Sequence, residues 1–158
     1  LSNTYSLFTY LEKKFAELKL DNKIFHCNIS FTVKKGTIRG LHFQNEPYSE
    51  SKLIRCTAGK IFDVIIDLRK HSDTYLQWYS IELSATDYHM LYVPKGFAHG
   101  FQTLSDNTEV FYQNSQIHMP DYENGVKWND KIFDIAWPLI PTLVSKKDQS
   151  WENYELKI

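Results

Sequence analysis

The most regular pattern in the chain is an alternation of apolar and polar residues over positions 25–33. The odd positions, from Phe25 to Val33, are apolar, and the even positions between them are polar. A period of two predicts a β-strand with one apolar and one polar face. The polar face must therefore lie against solvent or line a cavity.

Further segments with β-strand character follow, separated by short turns rich in Gly, Pro, Ser, Asp and Asn. They are Lys52–Thr57, Ile61–Leu68, Leu76–Glu82, Met90–Val93, Gly100–Leu104 and Glu109–Asn114. Many short strands at such spacing favour a β-sandwich or barrel over βαβ units.

The two ends of the chain have a different character. Near the N-terminal end, apolar residues recur close to helical spacing among charged ones, which predicts a short amphipathic helical turn or two. These residues are Leu11, Phe15, Leu18 and Leu20. The segment from Pro120 has little periodicity, and we expect irregular structure packed across the barrel.

The overall composition narrows the class of protein. The 158 residues fit one domain, 1–158. Eighteen basic against nineteen acidic side chains give a net charge of -1, which argues against a nucleic-acid partner recognised by bulk positive charge. No apolar run approaches the ~18 residues of a membrane span, and no signal peptide is visible.

Cys27 and Cys56 are far apart in sequence and are expected to be free thiols in a cytoplasmic, soluble protein, although one disulfide is the alternative.

Several kinds of chemistry lack their motifs. Neither a Walker loop nor a Rossmann glycine loop occurs, and there is no GxSxG nucleophile elbow. The six histidines show no close spacing typical of metal ligands. We therefore expect no cofactor and no metal, and acid–base chemistry if the protein is an enzyme.

Two segments carry candidate catalytic groups. In Gly36–Gln44, Arg39 and His42 start on opposite faces of an extended chain, and Gly40 is the residue that could bend the strand and bring them together. In Val93–Phe101, His99 lies in an apolar segment flanked by glycines, which allow a close approach of backbone or ligand. Each histidine alone could equally be a hydrogen-bonded residue at a barrel rim.

Together these segments, RGLHFQ and VPKGFAHGF, resemble the dTDP-4-dehydrorhamnose 3,5-epimerase family of nucleotide-sugar enzymes. Supporting segments occur in the same order, and the resemblance runs from about Asn28 to Asp148. It implies an all-β, cupin-type jelly-roll barrel with a short N-terminal helical turn and an irregular C-terminal segment. It also implies a homodimer that works without metal and inverts carbons beside the C4 ketone of an NDP-4-keto-6-deoxy sugar.

The resemblance also implies roles for individual residues. His42 matches the catalytic base, Asp148 the carboxylate that hydrogen-bonds it, and Lys52 the cation near the C4 oxygen. Arg39 matches a diphosphate or sugar contact, and His99 lines the sugar pocket. The remaining expected substrate contacts are Asn28, Ser30, Gln44, Arg55, His26 and Tyr112.

The chain departs from the family pattern at several positions. His118 stands where the family has its acidic tyrosine, so His118, Tyr112 or Tyr122 supplies the acid, or one of two epimerisations is lost. The residues from Asn3 to Tyr10 lack the arginine and glutamate that the family uses for nucleotide contacts, and His26 replaces a glutamine. A GDP- or CDP-linked sugar, including a heptose, is therefore an alternative to a dTDP-linked one.

The leading interpretation is an epimerase acting at C3, C5 or both in cell-surface polysaccharide synthesis, with a single centre slightly favoured by the change to His118. One alternative is a 3,4-ketoisomerase of the same fold. The other is a non-catalytic homologue that binds a nucleotide sugar.

Overall fold

The structure, a computed structural model, describes residues 12–155 and consists of two packed β-sheets. The strands are β1 His26–Thr32, β2 Thr37–Gln44, β3 Lys52–Ala58, β4 Lys60–Asp67, β5 Trp78–Ser84, β6 Leu91–Val93, β7 Phe97–Thr103, β8 Thr108–Asn114, β9 Glu123–Gly125 and β10 Leu143–Val144. One sheet has the order β1-β8-β3-β6. The other has the order β10-β2-β7-β4-β5, with β9 paired to β2. The predicted all-β sandwich or barrel class is confirmed.

The ends of the described chain are partly helical. Helix α1 spans Glu12–Glu17, as the amphipathic pattern predicted, although Leu11 lies outside the described residues, as do Asn3 to Tyr10. The segment after Pro120 is more regular than expected, because it forms β9, β10 and the helix α2, Lys146–Ser150. Within residues 12–155, no helix is long and apolar enough to cross a membrane.

The alternation along β1 places its polar side chains in a cleft between the sheets. His26, Asn28 and Ser30 line this cleft. The apolar side chains point outward instead, and Ile29 remains 60% exposed and Phe31 53% exposed. The predicted two-faced strand is thus confirmed, with its apolar face on the outside of the protein.

Apolar side chains form two cores. One lies between the sheets and is built from Ile54, Cys56, Ile61, Ile65, Leu83, Val93, Phe101 and Val110. The other covers the outer face of the larger sheet and comprises Leu41, Val64, Ile66, Ala98, Val126 and Phe133. Because β4 is buried on both faces, its sequence is nearly continuously apolar. Both cysteines are free; Cys56 lies in the first core, and Cys27 is exposed.

Strands β2 and β7 approach each other closely at two glycines, Gly40 and Gly100. Gly40 has φ +109, and a Cβ built on it would lie 2.6 Å from Cα of Gly100. The β2–β7 register shifts between Arg39 and His42. This irregularity lets Arg39 and His42 face the same cleft, as the position of Gly40 in the sequence suggested.

We expect Gly40→Ala to destabilise the protein by about 2–5 kcal/mol. The alanine would have to adopt an unfavourable positive φ, and its Cβ would also clash with the backbone of Gly100. The measurement is the free energy of unfolding in urea. Gly96→Ala is the matched control, because Gly96 also has a positive φ, of +78, but its Cβ would meet the Arg69 side chain. Equal losses for the two variants would show that the close approach to Gly100 is unimportant.

Candidate active site

A cleft of about 520 Å³ opens between the two sheets. Most of its lining is polar or titratable. It includes most of the residues that the sequence singled out, namely His26, Asn28, Ser30, Arg39, His42, Gln44, Lys52, His99, Tyr112, His118 and Asp148. Four of the six histidines therefore meet at one cavity.

The first functional pair is His42 with Asp148. Nε2 of His42, on β2, lies 2.5 Å from Oδ1 of Asp148, on α2. The Asp148 side chain is 4% exposed, whereas that of His42 is 30% exposed. A carboxylate on Nε2 favours the tautomer with its proton there, which leaves Nδ1 of His42 as the basic nitrogen.

The ionised state of Asp148 is supported by its surroundings. Burial opposes ionisation, but hydrogen bonds from His42 and Ser145 and the proximity of the imidazole outweigh it, so the pKa of Asp148 lies below its usual range. Ser145 caps α2, since its Oγ accepts a hydrogen bond from the Asp148 N–H at 3.0 Å. Strand β10 pairs in parallel with β2 just before this cap and brings Asp148 to His42.

A second histidine–carboxylate pair lies deeper in the molecule. Nε2 of His99, on β7, is 2.5 Å from Oδ1 of Asp63, on β4. The His99 side chain is 4% exposed and that of Asp63 is fully buried. Asp63 was not among the site residues predicted from the sequence, although a carboxylate within the apolar run Ile61–Ile66 was a signal that could have identified it.

At one end of the cleft, polar side chains from three neighbouring strands line up. Nζ of Lys52 is 3.1 Å from Oε1 of Glu50. The Asn114 side-chain amide donates to Oδ1 of Asn28 at 2.8 Å and contacts Nε2 of His26 at 3.1 Å. His26 and Lys52 both pair in register with Asn114. Lys52 therefore lies beside a row of polar side chains formed by Asn114, Asn28 and His26.

Arg39 and Tyr112 occupy the wall of the cleft. Nε of Arg39 donates to Oγ1 of Thr32 at 2.8 Å, and its Nη2 donates to the carbonyl oxygen of Phe31 at 3.3 Å. Both partners are neutral, so neither offsets the positive charge of the guanidinium. Burial raises the pKa of the Tyr112 phenol above its usual range, and the nearby charge of Asp63 adds to this effect.

His118 lies where the cleft opens to solvent, with 56% of its side chain exposed. Its Nε2 is 3.7 Å from Oε2 of Glu123, which is also 2.6 Å from Nζ of Lys147. Glu123 and Lys147 come from the segment after Pro120, where the sequence showed no pattern. Sequence reasoning therefore missed both.

Two expected substrate contacts are placed differently. Arg55 does not line the cleft, because it points to the opposite face of β3 from Lys52; its guanidinium lies 5.2 Å from the centre of the Tyr88 ring. The carboxamide of Gln44 borders the cleft but is bonded to the protein backbone. Tyr122 packs against Tyr48, with ring centres 4.5 Å apart, instead of lining the cleft.

Among the described residues, no group of three or more His, Cys, Asp or Glu side chains is arranged to hold a metal ion. The cleft instead combines histidine–carboxylate pairs with lysine and arginine cations. Such an arrangement can remove a proton, return one and stabilise an oxyanion.

Comparisons with known proteins agree with this chemistry. The model of the family described as dTDP-4-dehydrorhamnose 3,5-epimerase matches residues 3–155. The protein of that description from Shigella flexneri is 43% identical over 120 residues, which are 76% of this chain and 66% of that relative. The chain thus spans slightly less than two thirds of that relative's length.

Solved structures of similar proteins have the same fold. The dTDP-4-dehydrorhamnose 3,5-epimerase from Bacillus anthracis, with TDP and PPi bound, is 42% identical with a TM-score of 0.90, covering 93% of this chain and 84% of that one. The dTDP-6-deoxy-D-glucose-3,5-epimerase from Legionella pneumophila, in complex with dTDP-4-keto-L-rhamnose, is 33% identical with a TM-score of 0.86, covering 91% and 77%. The cupin-type jelly-roll expectation is thereby confirmed.

We expect Asp148→Asn to lower the free energy of unfolding at neutral pH by about 1.5–3 kcal/mol, the range for hydrogen bonds to charged groups. Because folding lowers the pKa of Asp148, this stabilisation is complete above the unfolded value, near 4, and is lost as pH falls through the lower folded value. Urea unfolding from pH 2 to 8 measures it.

The exposed Asp73 provides a matched control for this experiment. Asp73→Asn makes the same chemical change at the surface and should alter stability by less than about 0.5 kcal/mol. If Asp148→Asn lowered the free energy of unfolding as much at pH 2 as at neutral pH, that result would contradict an ionised Asp148 in this pair.

Proposed function

The chain belongs to the dTDP-4-dehydrorhamnose 3,5-epimerase family, and we propose that it epimerises a dTDP-linked 4-keto-6-deoxy sugar at one or both carbons beside the C4 ketone. The observation that carries this proposal is the His42–Asp148 pair at 2.5 Å in a cleft that also holds Lys52 and His99. The TDP and dTDP-sugar ligands of the similar structures favour dTDP over GDP or CDP.

His42 acts as the base in this proposal. Its Nδ1 removes the proton from the carbon next to the ketone, and the imidazolium that forms is stabilised by Asp148. The hydrogen bond at 2.5 Å also fixes the ring orientation. The electron pair of the broken C–H bond moves into the enolate, so negative charge develops on the C4 oxygen.

Lys52 then stabilises the enolate oxygen. The ion pair with Glu50 leaves the Lys52 ammonium two further N–H donors. His99 is held by Asp63 in a buried position and lines the same cleft, where it contacts the sugar in this proposal. Lys52 and His99 belong to different sheets, so the sugar would bind between them.

His118 returns the proton from the opposite face. It lines the cleft, and the sequence resemblance matches it to the family's tyrosine. Tyr112 also lines the cleft, but its raised pKa makes it a weaker proton donor. Tyr122 contacts Tyr48 instead of lining the cleft. The geometry therefore favours His118 among the three residues considered from the sequence.

The remaining polar groups bind the substrate. Arg39 offers a guanidinium, bonded only to neutral partners among the described residues, for the diphosphate. Asn28, Ser30 and His26 on β1 provide hydrogen-bonding groups along the same wall of the cleft. The two free cysteines suit the reducing cytoplasm, where we place the enzyme.

We also propose that the protein is a homodimer formed through the outer face of β1. This edge strand and the residues that flank it expose four large apolar side chains by 53–61% each, those of Phe25, Ile29, Phe31 and Val33. A row of large apolar side chains on an edge strand is unusual for a monomer surface. A second copy of the chain, presenting the same row, would cover it.

Proton NMR of the reaction in D2O tests the catalytic roles. With a dTDP-linked 4-keto-6-deoxy hexose, the wild type should incorporate deuterium at C3, C5 or both and give inverted product. His42→Asn should slow incorporation about 100- to 10,000-fold, the usual contribution of a general base. His118→Asn should retain exchange, because His42 still removes the proton, but should lose inversion.

The outcomes of this experiment separate the roles. Full activity of His42→Asn would overturn the assignment of the base, and inverted product from His118→Asn would exclude His118 as the acid. Binding of the nucleotide sugar by the wild type without any exchange would favour a non-catalytic homologue. His118→Tyr, which introduces the family's residue, should recover inversion.

The dimer is tested by light scattering coupled to size-exclusion chromatography. We expect Ile29→Lys to shift the wild-type dimer to a monomer, since a charge would be buried at the centre of the interface. Ile140→Lys is the control, because Ile140 is 90% exposed and lies outside β1. A monomeric wild type would overturn this proposal.

A further inference from the structure

The carboxamide of Gln44 makes three hydrogen bonds to the backbone. Its Nε2 donates to the carbonyl oxygens of Tyr48, at 2.9 Å, and Ile117, at 3.1 Å. Its Oε1 accepts a hydrogen bond from the Met119 N–H at 2.6 Å. Since both amide protons are used and the residue is 4% exposed, Gln44 has no donor left for a substrate.

Two of these bonds bracket His118. The Ile117 carbonyl and the Met119 N–H belong to the residues immediately before and after it, so one side chain binds the backbone on both sides. A carboxamide that accepts from an N–H and donates to a C=O supplies the hydrogen bonds that a neighbouring strand would otherwise make. It thereby fixes the direction in which the His118 side chain leaves the backbone.

Few other described hydrogen bonds hold the segment that contains His118 to the rest of the protein near this residue. Before it, Ser115 donates its N–H to the Ser51 carbonyl at 3.0 Å, and after it the Tyr122 N–H bonds to the Met119 carbonyl at 2.9 Å. The His118 side chain itself is 56% exposed, with a contact to Glu123 at 3.7 Å. The bonds from Gln44 hold the residues next to His118 to strand β2; further along the chain, the Tyr122 carbonyl accepts from the Asn45 N–H at 2.9 Å and β9 pairs with β2.

Gln44 also connects the two catalytic candidates. It lies two residues after His42 on β2, and side chains two apart in a strand point to the same face. The strand that holds the base thus also holds the segment with the acid. We propose that Gln44 is a positioning residue, which sets His118 across the cleft from His42; this inference rests on the proposed function.

The test compares Gln44→Met, which keeps the volume but removes all three bonds, with the wild type. We expect kcat for inverted product to fall about 10- to 100-fold, because displacement of a catalytic group by about 1 Å has effects of this size. KM should change little. Deuterium exchange by His42 should continue, which is also the expected behaviour of His118→Asn.

A double-mutant cycle shows whether Gln44 acts through His118. Once His118→Asn has removed the acid, Gln44→Met should change kcat by less than about twofold. Multiplicative effects of the two substitutions, or equal losses of exchange and inversion in Gln44→Met, would overturn the proposal. Gln44→Glu retains an acceptor for the Met119 N–H and should show a smaller loss of inversion than Gln44→Met.

A second buried glutamine provides the matched control. Nε2 of Gln102 donates to the Leu139 carbonyl at 2.8 Å, and its Oε1 accepts from the Leu139 N–H at 3.0 Å. Gln102 is fully buried but does not line the cleft. Gln102→Met should reduce stability to a similar degree and leave the ratio of inversion to exchange unchanged.

A measurement without substrate separates this proposal from the proposed function. Hydrogen exchange of the Met119 amide, followed by NMR, should be at least about tenfold faster in Gln44→Met than in the wild type and in Gln102→Met. An unchanged rate would overturn the backbone clamp even in an active epimerase. A faster rate in a protein without epimerase activity would support the clamp while contradicting the proposed function.

Discussion

The hydrogen bond between His42 and Asp148 is the interaction on which the rest of the site depends. Its partners are 106 residues apart in sequence, and one of them follows the last strand. To bring Asp148 to β2, the chain after Pro120 must cross the larger sheet and return. Its route is fixed by backbone and side-chain bonds, including those of Thr142 to Gly36 and Lys35 and of Leu139 to Gln102.

This crossing also explains how the larger sheet is buried on both faces. The inner face packs against the smaller sheet, and the outer face packs against aromatic residues of the C-terminal segment, including Trp128 and Trp137. The segment therefore contributes to the second core and to the active site at once. A substitution that loosens its packing, for example at Trp137, should be expected to disturb Asp148 through the chain and not only to reduce stability.

The sequence allowed the sheet architecture and much of the site to be predicted, because β-strand alternation and the RGLHFQ and GFAHGF segments are local patterns. Gly40 could be recognised as a bend for the same reason. Glu123, Lys147 and the hydrogen bonds of Gln44 could not be predicted, since they depend on a route through space that no periodicity records. Arg55 lies on the face of β3 opposite Lys52, and the resemblance does not specify which face of the strand serves the cleft.

The charges around the cleft follow a consistent arrangement. Four carboxylates each hold a functional or cationic group: Asp148 binds His42, Asp63 binds His99, Glu50 binds Lys52 and Glu123 binds Lys147. Each pair fixes the orientation of a side chain, and the two lysines also compensate the negative charges of their carboxylates. Arg39 differs, because its bonds go to the neutral Thr32 and Phe31. Arg39 therefore carries a guanidinium that these bonds do not compensate, which is why the proposed binding mode has the diphosphate at Arg39 and the sugar at the paired groups.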